Sequence, residues 1–287
     1  MTITTVGVPS GIGDVSWLYS KLSHVGPLDY KIADGWPYRT KQFLELLPYV
    51  RTAEYAPFTY RDIMNFEQIQ NIGFHPTWKD VRSRGFEECL IEANRHLELG
   101  KPLKDWMPDL PTNYHYEITI PAEDVERAIA LIRSLDLKKP IWGISAASYR
   151  GSEAWKTWGY AEWSRFLKMF LAEAGGSILL LGGFWDDLTA TLADDGHADV
   201  VGKTSIGTAV EILNQISGYI GFSSGLGVIM TVLNRPTFML WPDHQIELST
   251  SWADPDMMLS GKYATSLWRD PVLVYKNVRR WLRANYV

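Results

Sequence analysis

Three stretches of the chain set small and hydroxyl residues directly after an apolar run and directly before a helical pattern. That arrangement leaves backbone N–H groups at a helix start open to an anion. The first is Gly221-Phe222-Ser223-Ser224-Gly225-Leu226-Gly227. Its two hydroxyls and its glycines suit a phosphate, and the same residues also suit a tight turn with an N-cap serine. The second runs from Ser145 to Arg150, with Lys156 a few residues on, just before another helical pattern. Ser145 and the lone Lys156 fit an anionic ligand such as a diphosphate, and a solvated lysine is the alternative. The third is Gly7-Val8-Pro9-Ser10-Gly11-Ile12-Gly13-Asp14. Gly11 and Gly13 let a ligand approach the backbone, and Asp14 falls in the first helical turn, where it either points at a ligand or caps the helix. A fourth stretch, Asp186-Asp187 after Gly182-Gly183, suits ribose hydroxyls or simply starts a helix.

Other chemistries lack their residues. The glycines at 7, 11 and 13 do not make G-x-G-x-x-G, and the chain has no Walker loop, G-x-S-x-G elbow or H-E-x-x-H. Its six histidines (24, 75, 96, 115, 197 and 244) lack metal-ligand spacing, so no metal site is expected. The one cysteine, Cys89, excludes an internal disulfide and fits a reducing compartment. A net charge of -5 speaks against a role built on gripping nucleic-acid phosphates. No run of 18 apolar residues is present, and Met1 leads straight into a strand-like segment, so neither a membrane span nor a secretion signal is expected and the location is read as cytoplasmic. The 13 Trp and 14 Tyr must largely line a core or a cleft.

The elements that would position these loops alternate. From Pro140 onward, buried strands are expected at 140–145, 177–181, 199–202, 218–222 and 236–241. Helices are expected at 160–174, 188–193, 209–216 and 226–233, with a basic amphipathic helix at 272–286. Short connections between alternating strands and helices require a parallel sheet covered on both faces. The front half is noisier. Strands are expected at 3–8, 30–33, 69–74 and 114–120, and helices at 14–22, 40–47, 84–97 and 122–135. The predicted organisation is α/β, with two Rossmann-like doubly wound domains, 1–138 and 139–270, facing across a cleft. The ligand belongs at the carboxyl ends of the strands.

Taken together these loops resemble glycosyltransferase family 9, the heptosyltransferase-like enzymes of the GT-B fold. The resemblance rests on Gly11-Ile12-Gly13-Asp14, on Lys156-Thr157-Trp158 with Trp163 trailing, and on Gly202-Lys203-Thr204-Ser205-Ile206. It rests further on Ser223-Ser224-Gly225-Leu226-Gly227-Val228 and on Pro236-Thr237. Where the family's last loop carries Asp and His, this chain has Ser223 and Val228. That departure separates a nucleotide-sugar glycosyltransferase from heptose chemistry in particular.

The resemblance implies transfer of a sugar from a nucleoside-diphosphate sugar, a co-substrate with no further cofactor, to a hydroxyl acceptor such as a glycan or lipid-linked saccharide. Inversion and metal independence are implied with it. Asp14 would be the general base. Lys156 and the amides at Ser224, Gly225 and Leu226, beside Ser223, would stabilise the departing diphosphate. Gly202, Thr204, Ser205 and Asp187 would hold the nucleoside, and Ser145 would line the donor site. The last helix, 271–287, would pack back on the first domain. Two other readings stay open. One is a DNA-modifying glycosyltransferase acting on hydroxymethylated bases through Lys79, Arg82 and Arg84. The other is a non-catalytic nucleotide-sugar binding module.

Overall fold

A computed structural model of the chain describes residues 5–34, 38–59, 103–105, 110–147, 158–242, 249–250, 253–267 and 269–286. It divides into two units, residues 1–119 and 120–287. The strand expected at 69–74, the helix expected at 84–97, Cys89 and the basic residues Lys79, Arg82 and Arg84 lie outside the described residues.

In the first unit, strands β1 (Thr5–Val8), β2 (Leu28–Asp34) and β3 (Val50–Thr59) form a parallel sheet in the order β1-β2-β3. Helix α1 (Ile12–Leu22) crosses from β1 to β2, and the short α2 (Thr40–Leu44) crosses from β2 to β3. Val15, Leu18, Tyr19 and Leu22 recur at helical spacing and are buried, which fixes the inward face of α1. Tyr19 stacks edge-on against Tyr116 with ring centroids 4.7 Å apart and accepts the Tyr49 N–H at 3.1 Å. Tyr116 belongs to the segment expected as a strand at 114–120. The segment is instead a connector without strand pairing, tied down by the Thr119 N–H to Leu46 O and by hydrogen bonding of Tyr116 to Ser16.

The second unit is a six-stranded parallel sheet in the order β6-β5-β4-β7-β8-β9. The strands are β4 (Ile141–Ser145), β5 (Ser177–Leu180), β6 (Ala198–Asp199), β7 (Gly218–Phe222), β8 (Thr237–Trp241) and β9 (Tyr263–Leu267). The helices are α3 (Ala122–Ser134), α4 (Tyr160–Ala174), α5 (Asp187–Thr191), α6 (Ile206–Gln215), α7 (Gly225–Val232), α8 (Pro255–Leu259) and α9 (Pro271–Tyr286). β4, β7 and β8 are buried at every position, as central parallel strands must be.

Alternation along these strands gives the sheet two unlike faces. Trp142, Ile144, Ile178, Leu180, Ile220, Phe222, Phe238 and Leu240 meet Trp163, Phe166 and Phe170 of α4 and Val278 and Trp281 of α9 in one aromatic core. The indole N–H groups there are satisfied: Trp142 donates to Gly175 O at 3.0 Å and Trp281 to Lys262 O at 3.1 Å. The opposite face carries Gly143, Tyr219 and Gly221, with Ile216 and Gly227 against it.

Two boundaries differ from the sequence expectation. The division falls at 119/120 and not at 138/139, because α3 packs on α6 and its Asp124 accepts hydrogen bonds from Ser205 (2.5 Å) and Thr208 (2.6 Å). The apolar side of the last helix, expected to return to the first domain, is taken up within the second unit. Val274, Val278, Trp281 and Leu282 are each at most 4% exposed in the aromatic core.

Candidate functional site

In the second unit the strand order reverses between β4 and β7. In open α/β sheets the carboxyl ends of two such strands border the ligand crevice. Here they lead into Ser145-Ala146-Ala147 and Ser223-Ser224-Gly225. Two of the sequence-nominated loops are thereby brought to one place.

The β7 turn is built for an exposed helix start. Ser223, Ser224, Gly225 and Leu226 are partly exposed, and Ser224 occupies the N-cap of α7 in extended backbone. Its side chain makes no cap hydrogen bond; the hydroxyl lies 3.0 Å from the Tyr219 hydroxyl. The first amides of α7 therefore have no side-chain acceptor at the cap, and the positive end of the helix dipole lies at the switch point.

Tyr219 is fully buried, and burial pushes its phenol up to about 12, against hydrogen bonds from Ser224 and Ser145. Sequence reasoning did not single it out. Its signal was Gly221, two residues on and hence on the same face of β7. A Cβ there would come within 2.6 Å of the Tyr219 hydroxyl and 2.7 Å of Ser145 O, so only glycine lets the ring lie along the strand.

Ser145 is 2% exposed, and its hydroxyl is engaged with Ala147 O at 3.3 Å and with Tyr219. It supports the loop from beneath at the end of β4.

Beside β4, the turn after β5 and the turn after β6 are zipped together. Gly202 N–H donates to Gly182 O at 3.0 Å. Gly202 has φ +70, and a Cβ there would stand 2.9 Å from the Cα of Phe184, whose ring is 59% exposed. Asp187 is exposed, at the first position of α5. Its neighbour Asp186 turns inward, 5% exposed, with Oδ2 accepting Gly183 N–H at 2.7 Å and Oδ1 unpartnered. Burial raises the Asp186 carboxyl to about 7; the Gly183 hydrogen bond opposes this and the Asp187 charge adds to it. Asp186 was thus the more informative half of the Asp186-Asp187 pair.

Ser205 is the N-cap of α6, its oxygen accepting Thr208 N–H at 3.0 Å while its hydrogen goes to Asp124. Its side chain is committed to the helix start. Burial alone would push Asp124 up, and the hydrogen bonds from Ser205 and Thr208 outweigh it and hold the carboxyl below its ordinary range. Thr204 is partly exposed at the same turn.

In the first unit, Asp14 lies in the first turn of α1, whose N-cap is Gly11 with no side-chain cap. Asp14 is therefore not the capping residue. Its carboxylate folds back over Gly11, where a Cβ would meet Oδ2 at 2.5 Å. Gly13 is partly exposed beside it. The helix start should lower the carboxyl's pKa. Desolvation wins, and Asp14 is pushed up to about 6. No described hydrogen bond or ion pair occupies its carboxylate.

Lys156, the Ser148–Arg150 stretch and the Asp243-His244 loop lie outside the described residues. Among the described residues no three His, Cys, Asp or Glu side chains gather as a metal-binding group, and no helix is long and apolar enough to cross a membrane.

The family model described as glycosyltransferase family 9 (heptosyltransferase) matches residues 91–270. Among solved structures, the Escherichia coli ADP-heptose lipopolysaccharide heptosyltransferase II is similar, with a TM-score of 0.66 at 14% identity over 99% of this chain and 100% of that one. A family 9 glycosyl transferase from Veillonella parvula gives 0.61 at 13% identity over 99% of each chain. The E. coli heptosyltransferase WaaC with ADP-2-deoxy-2-fluoro heptose gives 0.53 at 14% identity, over 98% of this chain and 100% of that one. A comparison with curated proteins gives no match.

Proposed function

The chain belongs to glycosyltransferase family 9 and is a nucleotide-sugar glycosyltransferase; on that premise we propose that it transfers the sugar with inversion, without a divalent ion, to a glycan or lipid-linked hydroxyl acceptor. The observation that carries the reading is the uncapped start of α7 at the reversal point of the second sheet.

The chemistry has two demands. As the acceptor oxygen attacks the anomeric carbon, its proton goes to a base. Simultaneously the bond to the diphosphate oxygen breaks, and the negative charge left there needs donors. Asp14 meets the first demand. A carboxylate held near pKa 6 is largely ionised at neutral pH and more basic than an ordinary aspartate. The amides of Gly225 and Leu226, with the hydroxyl of Ser223, meet the second, and Lys156 adds a positive charge. These donors take the place a divalent ion fills elsewhere. One base and one leaving group make a single displacement, hence inversion. Gly202, Thr204 and Asp187 bound the nucleoside, and Gly11 leaves room for the catalytic carboxylate.

E. coli WaaC has been solved with ADP and with ADP-2-deoxy-2-fluoro heptose, so adenine nucleotides head the donor screen. Thermal shift with UDP, ADP, GDP, CMP and their sugars tests the reading, because a ligand that binds only the folded chain raises its melting temperature. One nucleoside diphosphate family is expected to stabilise the protein. A flat response to the whole panel would remove the diphosphate site. Proton NMR of the glycoside product reports the stereochemistry, and an unchanged rate in excess chelator is expected.

A further inference from the structure

We infer that Tyr219 is a positioning residue that keeps the start of α7 open for the diphosphate by holding the Ser224 hydroxyl away from the helix amides. The inference rests on the diphosphate site proposed above and assigns it a supporting residue beneath the surface.

The molecule contains its own control. Ser205 and Ser224 are both N-cap serines in extended backbone, at φ -67, ψ 170 and φ -142, ψ 167. Ser205 caps α6 in the ordinary way, accepting the N–H of Thr208 three residues on at 3.0 Å. Ser224 makes no such bond; its hydroxyl lies 3.0 Å from Tyr219 Oη. An idle cap serine is unfavourable unless something else claims it, and the claimant here is a fully buried phenol.

Three glycines form the berth of that phenol. A Cβ at Gly221 would collide with the Tyr219 hydroxyl (2.6 Å), one at Gly227 would crowd its Cε1 (3.2 Å), and one at Gly143 would touch its Cδ2 (3.5 Å). The Tyr219 hydroxyl and the Ser145 carbonyl both crowd the place of a Gly221 Cβ (2.6 and 2.7 Å), so the phenol lies against the end of β4. Asp186, 5% exposed, lies near enough for its charge to act on the same phenol.

Removing the phenol oxygen frees Ser224 to cap α7 and so to compete with the ligand for the same amides. The test uses the full chain, ¹⁵N-labelled, in wild type, Tyr219→Phe, Ser224→Ala and the double variant. Two quantities are read: exchange of the Gly227 amide without ligand, and the Kd of ADP and of inorganic pyrophosphate by calorimetry. In Tyr219→Phe the amide should exchange roughly fivefold more slowly, and both Kd values should rise by about fivefold to tenfold. In the Ser224→Ala background the same substitution should change neither, because no hydroxyl remains to redirect. Equal losses in both backgrounds would reduce Tyr219 to a packing residue and overturn the inference. Unchanged exchange and Kd in Tyr219→Phe, with intact wild-type binding, would overturn it as well. A wild type that binds neither probe overturns the diphosphate site itself, which is a separate failure.

Discussion

The turn after β1 and the turn after β7 have the same anatomy and opposite chemistry. Each leaves a parallel strand, has a glycine at the N-cap or the first helical position, and starts a helix with no side-chain cap. At α1 a carboxylate is folded over that start, with no partner among the described residues, and desolvation makes it a stronger base. At α7 the nearest polar side chain is drawn off by a buried tyrosine, so the amides stay open to an incoming anion. An uncapped helix start is thus a neutral device. Whether it presents a base or an anion cradle depends on one side chain and on where its neighbours hold it.

The sharpest break of this contrast is to remove the charge at the first turn. Asp14→Asn should lower kcat by 10²–10⁴-fold, on the order expected for a lost general base, and leave the Kd for ADP unchanged. Full turnover in that variant would take Asp14 out of the mechanism. Converting the second turn into the first comes next. Ser224→Asp sets a carboxylate at the α7 start, which caps the amides and repels diphosphate. Kd for ADP should rise on the order of 100-fold while the melting temperature holds or increases. A parallel loss of stability would mean the turn had simply been damaged.

A smaller effect is expected from Gly11→Ala. The added methyl would stand 2.5 Å from Asp14 Oδ2, so the carboxylate must swing away. The backbone at Gly11, with φ -83, accepts alanine, so kcat should fall roughly tenfold with little change in melting temperature. Wild-type kcat would show the carboxylate's position to be unimportant.

The pH dependence sharpens the same point. With a folded pKa near 6, the catalytic form of Asp14 is lost below that value, and kcat/KM should fall tenfold per pH unit on the acid side. The stability effect has its own sign. Because the folded pKa lies above the unfolded one, stability from protonated Asp14 is full at low pH and disappears between about pH 4 and 6. Asp14→Asn should therefore gain stability over wild type across that window. An acid limb near pH 4 would place Asp14 in ordinary solvent.

Much of this was legible before any coordinates. The spacing of Trp163, Phe166, Leu167 and Phe170 gave α4 its inward face, and the apolar runs at 140–145, 177–181, 218–222 and 236–241 marked buried parallel strands. β3 was missed, because Val50–Thr59 buries only alanines, Ala53 and Ala56, among its described side chains, and so lacks a strand's apolar contrast. β9 was missed for a similar reason: Tyr263–Leu267 is buried only at Tyr263. The site loops were found from glycine and hydroxyl composition, but composition cannot say which hydroxyl is already committed. Ser145, Ser205 and Ser224 look alike in sequence. They differ because Tyr219 and Asp124, distant in the chain from some of their partners, claim them in the fold.

The most direct test is titration of ¹⁵N-labelled protein with ADP, following the amide resonances of Gly225, Leu226 and Gly227. Saturable downfield shifts of these three, with the α6 start at Gly207 and Thr208 unmoved, are the predicted result. Saturable ADP binding that leaves all three amides in place would show that the diphosphate rests elsewhere, and would contradict the account.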